Sequence, residues 1–162
     1  MLVRHAQAAD AATDRDRPLT RRGELHAETV GAWLARAGSL PERVLVSPAR
    51  RTVQTWELAR AALDGVPEPV LDERIYDNTV EDLLEIVRET SAEVRTLAVV
   101  GHNPSIGELA RLLDDGEGSQ AARQEAGNGF PPGAVAVLDV PGPFAEIAPG
   151  VATLVAFTAP GG

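Results

Sequence analysis

The sequence predicts a three-layer α/β/α sandwich around a largely parallel central sheet. Short apolar runs of strand length alternate with amphipathic helical patterns of about 10 to 15 residues, which is the order of elements in such folds. Polar residues come directly after several of the apolar runs, as they do at the strand ends where open α/β sheets bind ligands. The chain has 162 residues and shows no internal repeat or linker, so we expect a single domain over residues 1–162.

The first strand and the first helix enclose a polar loop. Leu2-Val3-Arg4-His5 is typical of a short buried strand that leads straight into polar residues, and residues 6–19 are polar or small. Thr20 is a suitable N-cap for the helix that follows, and Gly38 is a suitable end. Apolar residues recur there at the spacing of one buried helix face: Val30, Trp33, Leu34 and Ala37.

A second strand at Val44–Val46 leads into a second helix. Ser47-Pro48 matches an N-cap followed by a proline at the first helical position, which predicts a helix from there to about Leu63. Residues 64–78 contain glycine and prolines around the short apolar pair Val70-Leu71, so we predict mostly loop.

Two further helices flank a buried strand. Thr79 and Asp82 form a capping-box pattern at the start of the third helix. Thr96–Val100 is a continuous apolar run of strand length, and Asn103 and Pro104 then match the N-cap and first position of a fourth helix. Apolar residues mark the buried faces of the two helices: Val80, Leu83, Leu84 and Val87 in the first, and Ile106, Leu109, Ala110 and Leu113 in the second.

The last third of the chain is predicted to close the sheet. Residues 114–133 are rich in glycine, acidic residues and proline, which predicts a long loop with a short helix near Ala121. Ala134–Val140 and Thr153–Thr158 are apolar runs separated by a proline-containing turn, so we predict a final pair of strands.

Composition excludes several kinds of chemistry. The chain has no cysteine, which rules out disulfides, zinc–thiolate sites and cysteine nucleophiles. The net charge is −9 and all 15 basic residues are arginine, so we expect no nucleic-acid partner and no lysine chemistry. Asp10, Asp14 and Asp16 lack the glycine and glutamate of a calcium loop, and we predict no metal site. No apolar run approaches the ~20 residues of a membrane span, so we expect a cytoplasmic protein, with a monomer as the default.

Three predicted strands end in polar segments that suit anion binding. These segments are Val3–His5, Val46–Arg51 and Val100–Asn103. The carboxyl ends of parallel strands meet at one edge of a sheet, so the segments are expected to converge. Two of them also begin helices, whose free N–H groups and positive dipole ends favour phosphate. Histidines, arginines and helix N-termini together predict a phosphate site.

Four ordered segments resemble the histidine phosphatase superfamily, once named after phosphoglycerate mutase. Leu2–Ala6 resembles its signature, Arg17–Gly23 the segment that follows, Ser47–Thr55 the second motif and Val100–Asn103 the last. The short chain with few insertions is similar to the SixA-type phosphohistidine phosphatases. The resemblance implies the phosphoglycerate mutase-like fold.

The resemblance also implies roles for individual residues. His5 would be the nucleophile that forms a phosphohistidine, which water then hydrolyses. Arg4, Arg51 and His102 would hold the phosphoryl oxygens, with no metal or other cofactor. Because Arg50 and Arg51 are adjacent in a helix, we expect only Arg51 to enter the site. We also expect His5 to be unprotonated on its attacking nitrogen, His102 to be able to act as a cation, and their pKa values to be pushed apart.

The general acid is predicted from a further resemblance. Leu71–Tyr76 resembles the stretch that supplies a proton-donating glutamate in the mutases and many phosphatases, so Glu73 is the predicted acid and Asp77 the second candidate. The alternative is that Glu73 is a solvated loop carboxylate. Phosphohistidine has a nitrogen leaving group that needs less help from an acid, so a missing donor would not exclude this substrate.

The predicted function is that of a metal-independent phosphatase. Its substrate would be a phosphorylated small molecule or a phosphohistidine protein. The alternative from another class is a non-catalytic phosphate- or phosphoprotein-binding module, but pure binding would not require the histidine pair His5 and His102. Mutase-type phosphotransfer is a further alternative, and it needs a closed site for which this chain has little spare sequence.

The short segment ahead of Arg4-His5 departs from the family pattern. Only Met1, Leu2 and Val3 precede that pair, where family members usually have several apolar residues. Either the true start lies upstream or the strand is truncated. A truncated strand would leave His5 loosely positioned, and an upstream extension is expected to raise thermal stability.

Overall fold

A computed structural model describes residues 1–161 and contains a six-stranded sheet with strand order β3-β2-β4-β1-β5-β6. The strands are β1 (Leu2–Arg4), β2 (Arg43–Val46), β3 (Val70–Leu71), β4 (Leu97–Gly101), β5 (Val135–Asp139) and β6 (Thr153–Thr158). The α-helices are α1 (Arg21–Ala37), α2 (Arg50–Arg60), α3 (Val80–Arg88), α4 (Ser105–Leu113) and α5 (Gln120–Gly127). Strands β1 to β4 are parallel, while β5 is antiparallel to both of its neighbours. The predicted α/β fold with a largely parallel sheet is confirmed.

Helices cover both faces of the sheet because successive strand residues point to opposite sides. On one face, Val44 and Val46 of β2 pack in a cluster with Leu34 of α1 and Trp56 of α2. On the other face, Leu45 packs in the cluster that includes the apolar residues of α3 and α4. None of the helices within residues 1–161 is long and apolar enough to cross a membrane.

Two predicted helix caps are confirmed. The Thr20 hydroxyl accepts a hydrogen bond from Gly23 N at the start of α1. Thr79 and Asp82 form the full capping box of α3, in which each side chain accepts from the other residue's backbone N–H. Gly38 ends α1 with φ of 69°, a left-handed conformation that favours glycine.

The starts of α2 and α4 differ from the prediction. Ser47-Pro48 does not open α2, which begins at Arg50 after the extended residue Ala49, and Ser47 N bonds to Val100 O at the sheet edge. Pro104 is the capping position of α4, although the Asn103 side chain still accepts from Gly107 N. The predicted short helix in residues 114–133 is present as α5.

The sheet has a gap beside the amino end of β1. Leu2 pairs with Val99 and Ala136, but β4 and β5 both extend past that register. A cavity of about 880 Å³ opens there, lined by residues that include Met1 and Leu138. The Met1 amine donates to Leu97 O at 2.7 Å, and burial lowers the pKa of this amine to about 5.

Filling this gap is expected to stabilise the fold. Adding Val-Leu-Val ahead of Met1 would place new strand residues between Leu97 and Leu138 and replace the buried amine with an amide. Each buried apolar side chain contributes about 1.5 to 3 kcal/mol before entropy is subtracted. The melting temperature should therefore rise by roughly 4 °C or more. Calorimetry would measure this against a Gly-Ser-Gly extension, and equal melting temperatures would contradict the prediction.

Candidate active site

The carboxyl ends of β1, β2 and β4 bring the predicted site residues together. His5 follows β1, and His102 follows β4 directly beside it. The two imidazole centroids lie 5.3 Å apart. Arg51, in the first turn of α2, reaches the same place, with Nη2 3.4 Å from His102 Nδ1. Arg4 is half-buried, and its Nη1 donates to Phe130 O at 3.0 Å.

His5 is held in one orientation. Its backbone N–H donates to Gly101 O at 3.1 Å, and its Nδ1 lies 2.8 Å from Ala6 O. A carbonyl oxygen can only accept, so Nδ1 carries the proton and Nε2 has a free lone pair. The ring and its backbone are thus both hydrogen-bonded at the sheet edge, and the loose positioning expected of a truncated β1 stays a prediction.

His102 takes the opposite tautomer. Arg51 Nη2 can only donate, so His102 Nδ1 accepts from it and Nε2 carries the proton. That proton points to Ser47 Oγ, 2.8 Å away on a fully buried side chain. Ser47, which the sequence predicted as a helix cap, thus orients His102. In the sequence, the feature that could have indicated this role is a serine directly after a buried strand.

Burial keeps both histidines neutral. Desolvation, with the charges of Arg51 and Arg4 adding to it, lowers the pKa of His5 to about 4. The pKa of His102 is lowered to about 3, mainly by desolvation and then by His5 and Arg51. The expected separation of the two pKa values is wrong, because both rings share one desolvated pocket near the same guanidinium groups. His102 is not a cation in this state.

Only one of the two adjacent arginines enters the pocket, as expected. Arg51 is 6% exposed, whereas Arg50 lies on the surface. The Arg51 guanidinium donates from Nη1 to Asp14 O at 2.8 Å and from Nη2 to Asp14 Oδ2 at 3.1 Å.

Asp14 is a site residue that sequence reasoning missed. Its Oδ2 also accepts from the Tyr76 hydroxyl at 2.5 Å, and the Tyr76 ring lies edge-on to His102 with centroids 5.7 Å apart. Hydrogen bonds from Tyr76, Arg17 and Arg51 lower the pKa of Asp14 to about 2. The three aspartates of residues 6–19 looked alike in the sequence, and only the folded loop distinguishes this one.

Glu73 and Asp77 lie outside this cluster. The Glu73 carboxylate is 70% exposed and forms two hydrogen bonds with Arg15, at 3.0 and 2.7 Å, which lower its pKa. The turn Glu73–Ile75 buries Ile75 and so points Glu73 outward. Asp77 is exposed. Neither carboxylate contacts His5 or His102 within residues 1–161, and their acid roles stay predictions.

The lowered histidine pKa values predict a pH-dependent stability. Below pH 6.5 the unfolded chain binds protons that folded His5 and His102 take up only near pH 4 and 3. The free energy of unfolding should therefore fall by roughly 2 to 5 kcal/mol as pH drops from 7 to 4.5. Urea unfolding at each pH measures this. The pKa of the Met1 amine is lowered from 8.0 to about 5 by folding, so the free energy of unfolding also falls through this group as pH drops across that range. The double variant His5→Gln, His102→Gln isolates the histidine share, and an unchanged slope in it would refute the prediction.

Known proteins match this chain in sequence and in structure. The sequence model of the histidine phosphatase superfamily (branch 1) matches residues 1–96. An uncharacterized protein of Mycobacterium tuberculosis is 37% identical over 161 residues, which cover 98% of this chain and 99% of the relative. Phosphohistidine phosphatase SixA of Escherichia coli K12 is 34% identical over 125 residues, covering 72% of this chain and 74% of SixA.

Solved structures extend the match past residue 96 to the strand that carries His102. A SixA structure from Nakamurella multipartitia superposes with a TM-score of 0.84 at 31% identity, covering 98% of this chain and 94% of that one. A protein histidine phosphatase SixA complexed with tungstate gives a TM-score of 0.75 at 26% identity, with 96% and 93% covered. Because the superfamily's sequence model spans more than half of the chain and SixA structures match nearly all of it, this protein belongs to the histidine phosphatase superfamily and is of the SixA type.

Proposed function

We propose that this protein is a metal-independent phosphatase that transfers a phosphoryl group from its substrate to Nε2 of His5 and then to water. Its family and its likeness to SixA structures support a phosphatase of this family. The observation that carries the mechanism is the His5 tautomer. Ala6 O holds the proton on Nδ1, so the free lone pair of Nε2 is available for attack on phosphorus.

The charge of the phosphoryl group would be held by arginines. Arg4 and Arg51 each have a buried Nε that lacks a hydrogen-bond partner within the described residues. Buried donors without partners are costly, and phosphoryl oxygens are acceptors that would compensate for them. Two guanidinium groups beside the nucleophile supply the positive charge that a metal ion would otherwise provide.

The reaction has two half-reactions. In the first, Nε2 of His5 forms a bond to phosphorus while the bond from phosphorus to the leaving group breaks. In the second, a water oxygen bonds to phosphorus, the P–N bond breaks and inorganic phosphate leaves. The low pKa of His5 keeps its lone pair free throughout the neutral range.

His102 would become a cation only when substrate is bound. Its Nδ1 accepts from Arg51. A phosphoryl dianion that engages Arg51 releases this nitrogen and favours the protonated imidazole through its charge. The predicted cationic role of His102 is thereby tied to the occupied site, with Ser47 keeping the ring in place.

The substrate is proposed to be a phosphohistidine side chain on a protein. The relative in Escherichia coli carries this activity in its name, and a related SixA structure holds tungstate, a tetrahedral oxyanion. Asp14 and Tyr76 bond to each other beside His102 and are not buried, and we propose that a phosphohistidine side chain on a protein approaches the histidines past them.

A direct test compares two substrates with and without EDTA. We expect the protein to dephosphorylate a phosphohistidine protein and, more slowly, 4-nitrophenyl phosphate, and EDTA to leave both rates unchanged. Loss of activity in EDTA would refute the metal-independent mechanism. A faster rate on small phosphomonoesters would refute the choice of substrate. No turnover of either, together with phosphate binding that requires Arg4 and Arg51, would favour the binding module instead.

A further inference from the structure

We propose that Asp14, rather than Glu73, is the carboxyl group that transfers protons in both half-reactions. The inference rests on the proposed phosphatase function. It starts from the position of Asp14, whose Oδ2 bonds to the same Arg51 nitrogen that faces His102. Among the acidic side chains of residues 1–161, Asp14 is the one that bonds directly to Arg51, Arg4, His5 or His102.

The loop around Asp14 is anchored on both sides, so the carboxylate stays near the site when a ligand arrives. Arg50 N donates to Arg15 O at 2.9 Å immediately after it, and Ala9 N donates to Pro18 O at 2.8 Å across the loop. The Asp14 backbone oxygen itself accepts from Arg51 Nη1. The Tyr76 hydroxyl fixes the carboxylate from the other side of the pocket.

Substrate binding would change the protonation of Asp14. A phosphoryl dianion that takes hydrogen bonds from Arg51 removes one partner of the carboxylate and brings two negative charges next to it. Like charges in a shared site favour the protonated carboxylic acid. The Asp14 side chain is 55% exposed, so a proton can reach it from water. Asp14 would thus become an acid only in the substrate complex, although the hydrogen bonds from Tyr76, Arg17 and Arg51 otherwise keep its pKa low.

Asp14 can then account for the proton transfers of both half-reactions. Asp14 gives its proton to the leaving atom as the bond from that atom to phosphorus breaks and the P–N bond to His5 forms. In the second half-reaction, the Asp14 carboxylate takes a proton from the attacking water as the P–N bond breaks. Asp14 is then protonated again beside bound phosphate and releases this proton to water when phosphate leaves, while His5 ends the cycle with its lone pair free.

The dependence of rate on the leaving group tests this assignment. We would measure kcat/KM for a series from 4-nitrophenyl phosphate to alkyl phosphates, because poor leaving groups need a proton donor most. In Asp14→Asn, kcat/KM should fall about 10²-fold or more on alkyl phosphates and much less on 4-nitrophenyl phosphate. The slope of log kcat/KM against the pKa of the leaving group should therefore be steeper than in the wild type. Asp16→Asn is the matched control, since Asp16 lies on the same loop and bonds to Thr13. It should retain the wild-type slope.

Three outcomes would overturn the proposal. The first is an unchanged slope in Asp14→Asn, and the second is a steeper slope in Glu73→Gln instead. The third is a faster rate on every substrate with tighter phosphate binding in Asp14→Asn, which would make Asp14 an obstacle rather than an acid.

A second measurement does not depend on turnover. Titration calorimetry with inorganic phosphate in buffers of different ionisation enthalpy counts the protons taken up on binding. Asp14→Asn should take up about one proton fewer than the wild type, and equal uptake would refute the proposal. Wild-type protein that turns over no substrate would count against the proposed function, while this comparison would still show whether phosphate binding protonates Asp14.

Discussion

Replacing His5 with alanine is expected to abolish dephosphorylation, with a loss of roughly 10⁴-fold or more, as for other covalent nucleophiles. Among the histidines of residues 1–161, His5 combines a fixed tautomer, an Nε2 without a hydrogen-bond partner and the nearby charges of Arg51 and Arg4. The variant should still bind phosphate, because Arg4 and Arg51 remain. Rates on a phosphohistidine protein and calorimetric phosphate binding measure the two properties separately.

Trapping the intermediate makes this prediction more specific. Acid-labile phosphate should appear on wild-type protein quenched during turnover, and mass spectrometry of the peptide should locate it on His5. His26→Gln is the matched control, because His26 lies on α1 and belongs to none of the resembling motifs. Phosphate that still accumulates in His5→Ala would place the nucleophile elsewhere.

The pattern of apolar residues was sufficient to predict the helices and strands, because burial selects apolar residues at every inward-facing position of an element. The run Thr96–Val100 is apolar on both sides, and the strand it predicts lies in the sheet with helices on both faces. The boundaries were harder to predict, since they depend on single hydrogen bonds. Ser47 has good capping chemistry, yet its hydroxyl bonds to His102 and α2 begins only at Arg50.

The candidate site was predictable only where it follows directly from strand ends. His5, Arg51 and His102 each lie at such an end or within one helical turn of it, and the parallel sheet brings them together. Asp14 and Tyr76 are separated by 62 positions along the chain and meet through two loops. Neither has a periodic signal, so their contact becomes visible only in three dimensions. The same holds for the Arg15–Glu73 pair, which directs Glu73 away from the histidines.

Arg51→Met is expected to separate activity from stability. The substitution keeps a side chain of similar length but removes the charge and the hydrogen-bond donors that would hold the phosphoryl oxygens. Loss of one such preorganised donor group costs roughly 10²- to 10³-fold in rate. Arg51→Lys should recover only part of this loss, because a lysine provides charge without the bidentate geometry of guanidinium. Arg50→Met is the matched control at an exposed position and should stay close to wild type.

Stability should not follow activity in Arg51→Met. Arg51 is 6% exposed, lacks a partner for Nε and lies beside the desolvated His102. The cost of burying this charge offsets its hydrogen bonds to the half-exposed Asp14, so its net contribution to the free energy of unfolding is small. We therefore expect the melting temperature to remain equal to or above that of wild type. The charge also helps to lower the pKa of His5, so its titration, followed by NMR, should move upward in the variant. A lower melting temperature with unchanged His5 titration would mean that Arg51 supports the fold rather than the phosphate site.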